Sequence, residues 1–339
     1  MARLLTCGWE TGSISELPGA RRNVAIRDDR FRTGRYSMVA MVGPAYQQVD
    51  FDTAEPKHYG RVAFYMFATN LLLADPALLE FYDTDGNKSG SLKVNRTTKK
   101  LYYVGPAGTT LRTGNQVLTM EAWYVLEWYM SVGTRDGTCA WRINGVTDGA
   151  YNGDTQGSYT TALGAFRICS GAQPLPELIY FDDMAVNNDD GDFQDAWVGQ
   201  GKVELLIPIA DATYEWTPST GADHYALVDD LPRNTTDWVQ SGTAGTVLDT
   251  FVFTDSPSYI QTPDVVQVVY YAAAAGSGVA ACADVVMQDS VYYVGGSATV
   301  YTQADTYTLM RGSVHYEQPN GSGVWTATAI NDLVAGVVA

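Results

Sequence analysis

The run WYVLEWYMSVGTRDGTCAWRINGV, residues 123–146, decides the fold class. Its first part, residues 123–133, is apolar on both faces of an extended chain, which places it in the middle of a sheet. TRDG then reads as a turn, and residues 138–146 read as a return strand. That strand runs into Asn144-Gly145, the strongest short hairpin signal, because both residues tolerate positive φ. Two antiparallel strands and the start of a third are thus written in one stretch.

The same texture extends on both sides. RVAFYMFA (61–68) and LLEFYDT (78–84) are short, aromatic and apolar. SLKVNRTTKKLYYVG (91–105) reads as two strands around a polar turn, with Leu92 and Val94 alternating against Ser91, Lys93 and Asn95. ELIYFDDMAVN (177–187) closes this group. NNDDGDFQDAWVGQG has no periodicity and reads as an acidic, solvated linker. A second strand series begins at KVELLIPIAD (202–211) and continues through VLDTFVF (247–253), DVVQVVYYAAAA (264–275), ADVVMQ (283–288), SVYYVG (290–295), ATVYTQ (298–303) and YTLMRGSVHYE (307–317). The expected organisation is a domain over 1–187, a linker over 188–201 and a C-terminal β-sandwich over 202–339. One helix is expected in WTATAINDLVAG (325–336), with Ala329, Ile330, Leu333 and Val334 on one face, a threonine cap and Gly336 as its stop.

Composition agrees with an all-β chain. Of 339 residues, 46% are hydrophobic, enough to bury a core, while 22 Tyr and 33 Gly suit strands and tight turns. The formal net charge of −17 disfavours a phosphate backbone as partner. From residue 201 onward only Lys202, Arg233 and Arg311 oppose fifteen acidic residues, so the charge marks the same domain change. Cys7, Cys139, Cys169 and Cys282 form no CxxC pair, which argues against zinc; they read as buried free thiols, with a disulfide as the alternative. The first residues lack the apolar run of a signal peptide, and no segment reaches about 18 uninterrupted apolar residues. The expected product is soluble, made in a cytoplasm and not membrane-bound.

Chemistry is sparse. A glycosidase needs two carboxyls about 5–5.5 Å or about 6.5–9.5 Å apart. Glu121 and Glu127, six apart, are the nearest candidates, but Glu121 sits at the turn before its strand. His58, His224 and His315 are scattered, and there is no GxSxG or phosphate-loop motif. DTDGNKSG (83–90) imitates the start of a calcium loop, yet Lys88 and Val94 stand where Gly and Glu are required, so a hairpin turn is the better reading. The aromatic clusters WYVLEWYM and YEWTPSTGADHY read as core before they read as sugar platforms. In YFDDMAVNNDDGD (180–192), strand alternation puts Asp182 and Asp183 on opposite faces, which denies them one reacting centre and leaves a structural hydrogen-bonding role. No catalytic, cofactor-binding or metal residue is assigned.

The order LLTCGWETGS, RTGRYSMVA, a strand pair around DTDGN, WYVLEWYMSV–TRDG–TCAWRINGV and YFDDMAV resembles the concanavalin A-like (laminin-G-like) jelly roll. It looks most like the version in bacteriophage virion proteins, where segments similar to VGQGKVELLIPIAD and VWTATAINDLVAGV follow. The resemblance implies an N-terminal jelly roll and a structural role on the exterior of a phage particle, as a tail protein or capsid decoration. It implies no catalytic residues and hence no enzyme. The partners then expected are other virion proteins, further copies in a homo-oligomer and host surface glycans. The competing expectation is a lectin or glycoside hydrolase on the same scaffold.

Overall fold

The computed structural model describes residues 3–17, 19–41, 43–67, 74–158, 160–170, 179–242, 247–274, 280–295, 299–301 and 307–339. Parts of the expected strands 61–68, 177–187, 264–275 and 298–303 lie outside them. The fold is all-β, and the chain divides into two compact units, Met1–Leu205 and Leu206–Ala339.

The first unit is a two-sheet jelly roll of fifteen strands: β1 (Arg3–Cys7), β2 (Arg21–Arg22), β3 (Val24–Arg27), β4 (Ser37–Ala40), β5 (Tyr46–Glu55), β6 (Lys57–Met66), β7 (Ala77–Asp83), β8 (Lys88–Val94), β9 (Leu101–Val104), β10 (Thr110–Thr113), β11 (Trp123–Ser131), β12 (Gly137–Ile143), β13 (Val146–Gly153), β14 (Leu163–Ser170) and β15 (Ile179–Asn187). One sheet runs β13-β12-β11-β6-β15-β4-β3, with β1 also on β15. The other runs β10-β9-β8-β7-β14-β5-β2. Asn144 and Gly145 carry φ of 50° and 77° between β12 and β13, as a type I′ hairpin requires.

Alternation fills the space between the sheets. Leu126, Trp128 and Met130 of β11, and Cys139, Trp141 and Ile143 of β12, point into a core shared with Phe81 and Phe166 of the other sheet. Across the first sheet, Gly60, Trp128, Trp141 and Gly149 stand directly opposite one another in register. A Cβ on Gly60 would overlap the ring of Trp128, and one on Gly149 the ring of Trp141. Two glycines at the ends of the row thus make room for two indoles.

In the second unit, strands run in the order Pro208–Tyr214, Leu248–Phe253, Val334–Val338, Ala280–Gln288 and Val291–Val294, with Thr299–Tyr301 also on Ala280–Gln288. The ribbon Val266–Ala272 with Thr308–His315 supplies Val266, Tyr270, Ala272 and Met310 to the clusters around Val286, Trp325, Cys282 and Val337. The helix is shorter than its sequence pattern. It spans Ala327–Asn331, capped by Thr326, whose side chain accepts from the Ala329 N–H. The expected stop at Gly336 is corrected: Val334–Val338 is a strand inserted between two neighbours, a better burial for Ala335 and Val337 than one helical face. Gly336 belongs there because a Cβ would overlap the Asp249 carbonyl. All four cysteines are buried thiols, and Cys7 Sγ donates to Glu16 Oε2 at 3.3 Å. No helix among the described residues is long and apolar enough to cross a membrane.

Candidate functional site

The residues singled out in the sequence are not brought together. Glu121 is exposed before β11, with φ of 60°. Glu127 is buried on the outer face of its sheet, and its Oε1 accepts the Gly199 N–H at 2.9 Å. His58 lies in the first core, among Phe51, Phe81, Trp128 and Phe166. In the second unit His224 pairs with buried Asp249 at 2.8 Å, and His315 stands 3.8 Å from Asp284.

The 83–90 loop is the β7–β8 turn. Asp83 accepts the N–H groups of Asp85, Asn87 and Thr160 and the Asn87 side chain. Burial would raise its pKa, but these hydrogen bonds outweigh burial and hold it below the usual range. Among the described residues no group of three or more His, Cys, Asp or Glu could hold a metal ion.

The reading of Asp182 and Asp183 as opposite-facing is corrected. Asp183 has φ of 54°, and the β15–β6 register slips between Asp182 and Ala185. This bulge turns both carboxylates onto one segment. Asp182 Oδ2 accepts from the Arg32 and Thr33 N–H groups at 2.7 and 3.2 Å. Asp183 takes the Arg32 guanidinium at 2.5 Å, the Thr33 hydroxyl at 2.5 Å and the Val203 N–H at 2.7 Å. Burial, then the neighbouring Asp183 charge, pushes the Asp182 pKa up to about 9. Both acids are consumed in tying the chain down, as a structural role requires. The acidic stretch after them is only partly solvated. Asn188 is buried against Glu55 and Asp189 pairs with Lys57, while Asp190 and Asp192 are exposed.

A different constellation lies on the outer face of the seven-stranded sheet. Gln48 of β5, Arg167 of β14, Glu80 of β7 and Ser91 of β8 stand directly opposite one another. They form one row across four strands, about 14 Å wide at the usual strand spacing. The next row on the same face is Asp50, Ala165, Tyr82 and Lys88. These rows face outward because the rows between them, such as Val49, Phe166 and Phe81, fill the core.

The side chains are mutually fixed. Arg167 lies between two phenol rings, 4.4 Å from the centroid of Tyr46 and 4.4 Å from that of Tyr82. Its Nε donates to Gln48 Oε1 at 2.8 Å, and its Nη1 donates to the Tyr82 hydroxyl at 3.0 Å. That hydroxyl donates to Glu80 Oε2 at 2.6 Å, while Lys88 Nζ donates to Glu80 Oε1 at 3.1 Å. Ser91 Oγ, beside Glu80, is buried and has no hydrogen-bond partner. The Tyr82 oxygen thus accepts from a cation and donates to a carboxylate, the placement of a proton-transfer group. The flanking donors and acceptors match hydroxyls or a carboxylate of a ligand.

This row eluded the sequence reading because its members come from residues 48, 80, 91 and 167. The available signal was the alternation of Glu80 and Tyr82 with Leu79 and Phe81 in LLEFYD.

No family model matches the chain, and no curated protein does. Similar solved structures include the cellulose induced protein Cip1, at 15% identity and a TM-score of 0.41 over 56% of this chain and 92% of that one. A second is an endo-β-1,4-glucuronan lyase from the fungus Trichoderma reesei, at 11% identity and 0.39 over 50% and 90%. A third is a carbohydrate esterase from the Shiga toxin-encoding bacteriophage phi24B, at 13% identity and 0.40 over 55% and 97%. The expectation that the chain is not an enzyme is corrected here, since a lyase and an esterase stand among the structures it is similar to.

Proposed function

We propose that the first unit is a carbohydrate-recognising jelly roll, with its ligand on the outer face of the seven-stranded sheet. The observation that carries this is the Gln48–Arg167–Glu80–Ser91 row, a preorganised polar line with an unpartnered buried hydroxyl at one end. Arg167 and Lys88 supply positive charge to a saccharide carboxylate or hydroxyl, Gln48 and Ser91 supply neutral hydrogen bonds, and Tyr46 and Tyr82 supply ring surface. Tyr82 and Glu80 form the proton-transfer pair through which the site would act on a bound sugar.

The test is a panel of acidic polysaccharides assayed for binding and for cleavage by the full chain. Binding that is weakened by Arg167→Ala and by Glu80→Gln supports the proposal. Binding that neither variant changes, or no binding at all, rejects it.

A place on the exterior of a virion, assembled with other virion proteins and further copies of itself after synthesis in a host cytoplasm, is a second reading. It is supported by the order of sequence segments from LLTCGWETGS to VWTATAINDLVAGV. Mass spectrometry of purified particles tests it, and absence of the chain from them rejects it.

A further inference from the structure

A second surface, on the other sheet of the first unit, is built for a ligand that the row above does not reach. Tyr59 of β6, Tyr129 of β11, Ala140 of β12 and Ala150 of β13 stand directly opposite one another on the outer face of the eight-stranded sheet. The two phenol rings stack at 4.6 Å and 28°. The two alanines beside them leave a shelf, with methyl groups for a floor and the Tyr129 ring for a wall. Ala150 is exposed, and Tyr59, Tyr129 and Ala140 are half-buried.

Polar rows border the shelf on both flanks. On one lie Ser131, Thr138 and Asn152, with the Thr138 hydroxyl donating to Asn152 Oδ1 at 2.9 Å. On the other, Arg142 stands opposite Thr147 and packs 4.0 Å over the ring of Trp197. Trp197 in turn meets Tyr59 edge-on at 6.0 Å.

These features select the ligand class. β6, β11 and β12 are interior strands and only β13 ends the sheet, so a ligand on the shelf meets the side chains of the sheet face rather than a backbone edge. The shelf has no aliphatic side chain beyond two methyls, which gives little to an apolar protein surface. An aromatic wall, a small apolar floor and fixed hydroxyl, amide and guanidinium groups on the flanks fit a ring with an apolar face and a hydroxyl rim.

We propose that this shelf is a second saccharide subsite, taking one neutral pyranose ring against Tyr129 over Ala140 and Ala150. The ring's hydroxyls meet Thr138 and Asn152 on one side and Arg142 on the other.

The test titrates the full chain with cellohexaose, chitohexaose and laminarihexaose by calorimetry and tryptophan fluorescence. Ala150→Arg fills the shelf from an exposed position, and Tyr129→Ala removes its wall. The expected result is binding of at least one oligosaccharide, weakened at least tenfold by both variants. Thermal melting shows that each variant is folded, and Ala150→Arg, which touches no core residue, carries the test if Tyr129→Ala is not. No binding by the parent chain, binding unchanged in Ala150→Arg, or binding lost only in Arg167→Ala overturns the proposal. The last outcome would leave the seven-stranded-sheet site standing, so the two proposals fail separately.

Discussion

Replacing His58 by Phe should stabilise the first unit, and by more at pH 5 than at pH 7. His58 is fully buried, and neither ring nitrogen has a hydrogen-bond partner. Its neighbours are Phe51, Phe81, Phe166 and Trp128, with centroids 5.1, 5.8, 6.1 and 6.3 Å away. An unsatisfied buried polar group costs about 1–3 kcal/mol, so a phenyl ring in the same aromatic box should gain on that order at pH 7. Burial also holds the His58 pKa down at about 3, against an ordinary value of 6.5. The folded imidazole therefore stays neutral while the unfolded chain takes up a proton below pH 6.5. Stability is lost as pH falls from about 6.5 toward about 3. At pH 5 this linkage costs the parent about 2 kcal/mol, a loss that phenylalanine cannot suffer. Urea unfolding followed by tryptophan fluorescence should show the variant's advantage widening by about 2 kcal/mol between pH 7 and pH 5. An advantage that is the same at both pH values, or a His58 resonance titrating near its ordinary value in the folded chain, would refute the reasoning.

Three further outcomes follow from the packing and the charges. Gly60→Ala places a methyl into the Trp128 ring and should cost about 1–3 kcal/mol, read as a lowered unfolding midpoint. Asp249→Ala strips the buried His224 ring of its hydrogen-bond partner and should cost about 1–3 kcal/mol, confined in calorimetry to the transition of the second unit. Burial pushes Glu10 up to about 8 although it accepts the Arg35 and Tyr36 N–H groups. The folded state thus holds a proton that the unfolded chain releases above the ordinary value of 4.5, and stability falls as pH rises through that window. Glu10→Gln should remove about 2–3 kcal/mol of the fall between pH 5 and pH 7, checked by unfolding at both pH values.

What the sequence made legible was local. The 123–146 run carries its own strands, turn and hairpin signal, and β11, β12 and the start of β13 follow it. The helix pattern located the helix but overran its end, because Val334–Val338 gains more between two strands than on a helix face, a choice that only distant partners decide. Alternation misplaced Asp183 because a single residue at positive φ resets the period. The two rows proposed as ligand sites are non-local by construction. Glu80 and Tyr82 show their shared face within LLEFYD, but nothing near them announces Arg167 or Gln48. The shelf is hidden for a related reason: Ala140 and Ala150 are unremarkable until the register sets them beside Tyr129.

The most direct test of the carbohydrate reading is a glycan array probed with the parent chain and with Arg167→Ala. The account predicts binding of acidic saccharides by the parent that falls at least tenfold when Arg167 is removed. A parent chain that binds no acidic glycan on the array, or an Arg167→Ala variant that binds acidic glycans as well as the parent, would contradict it.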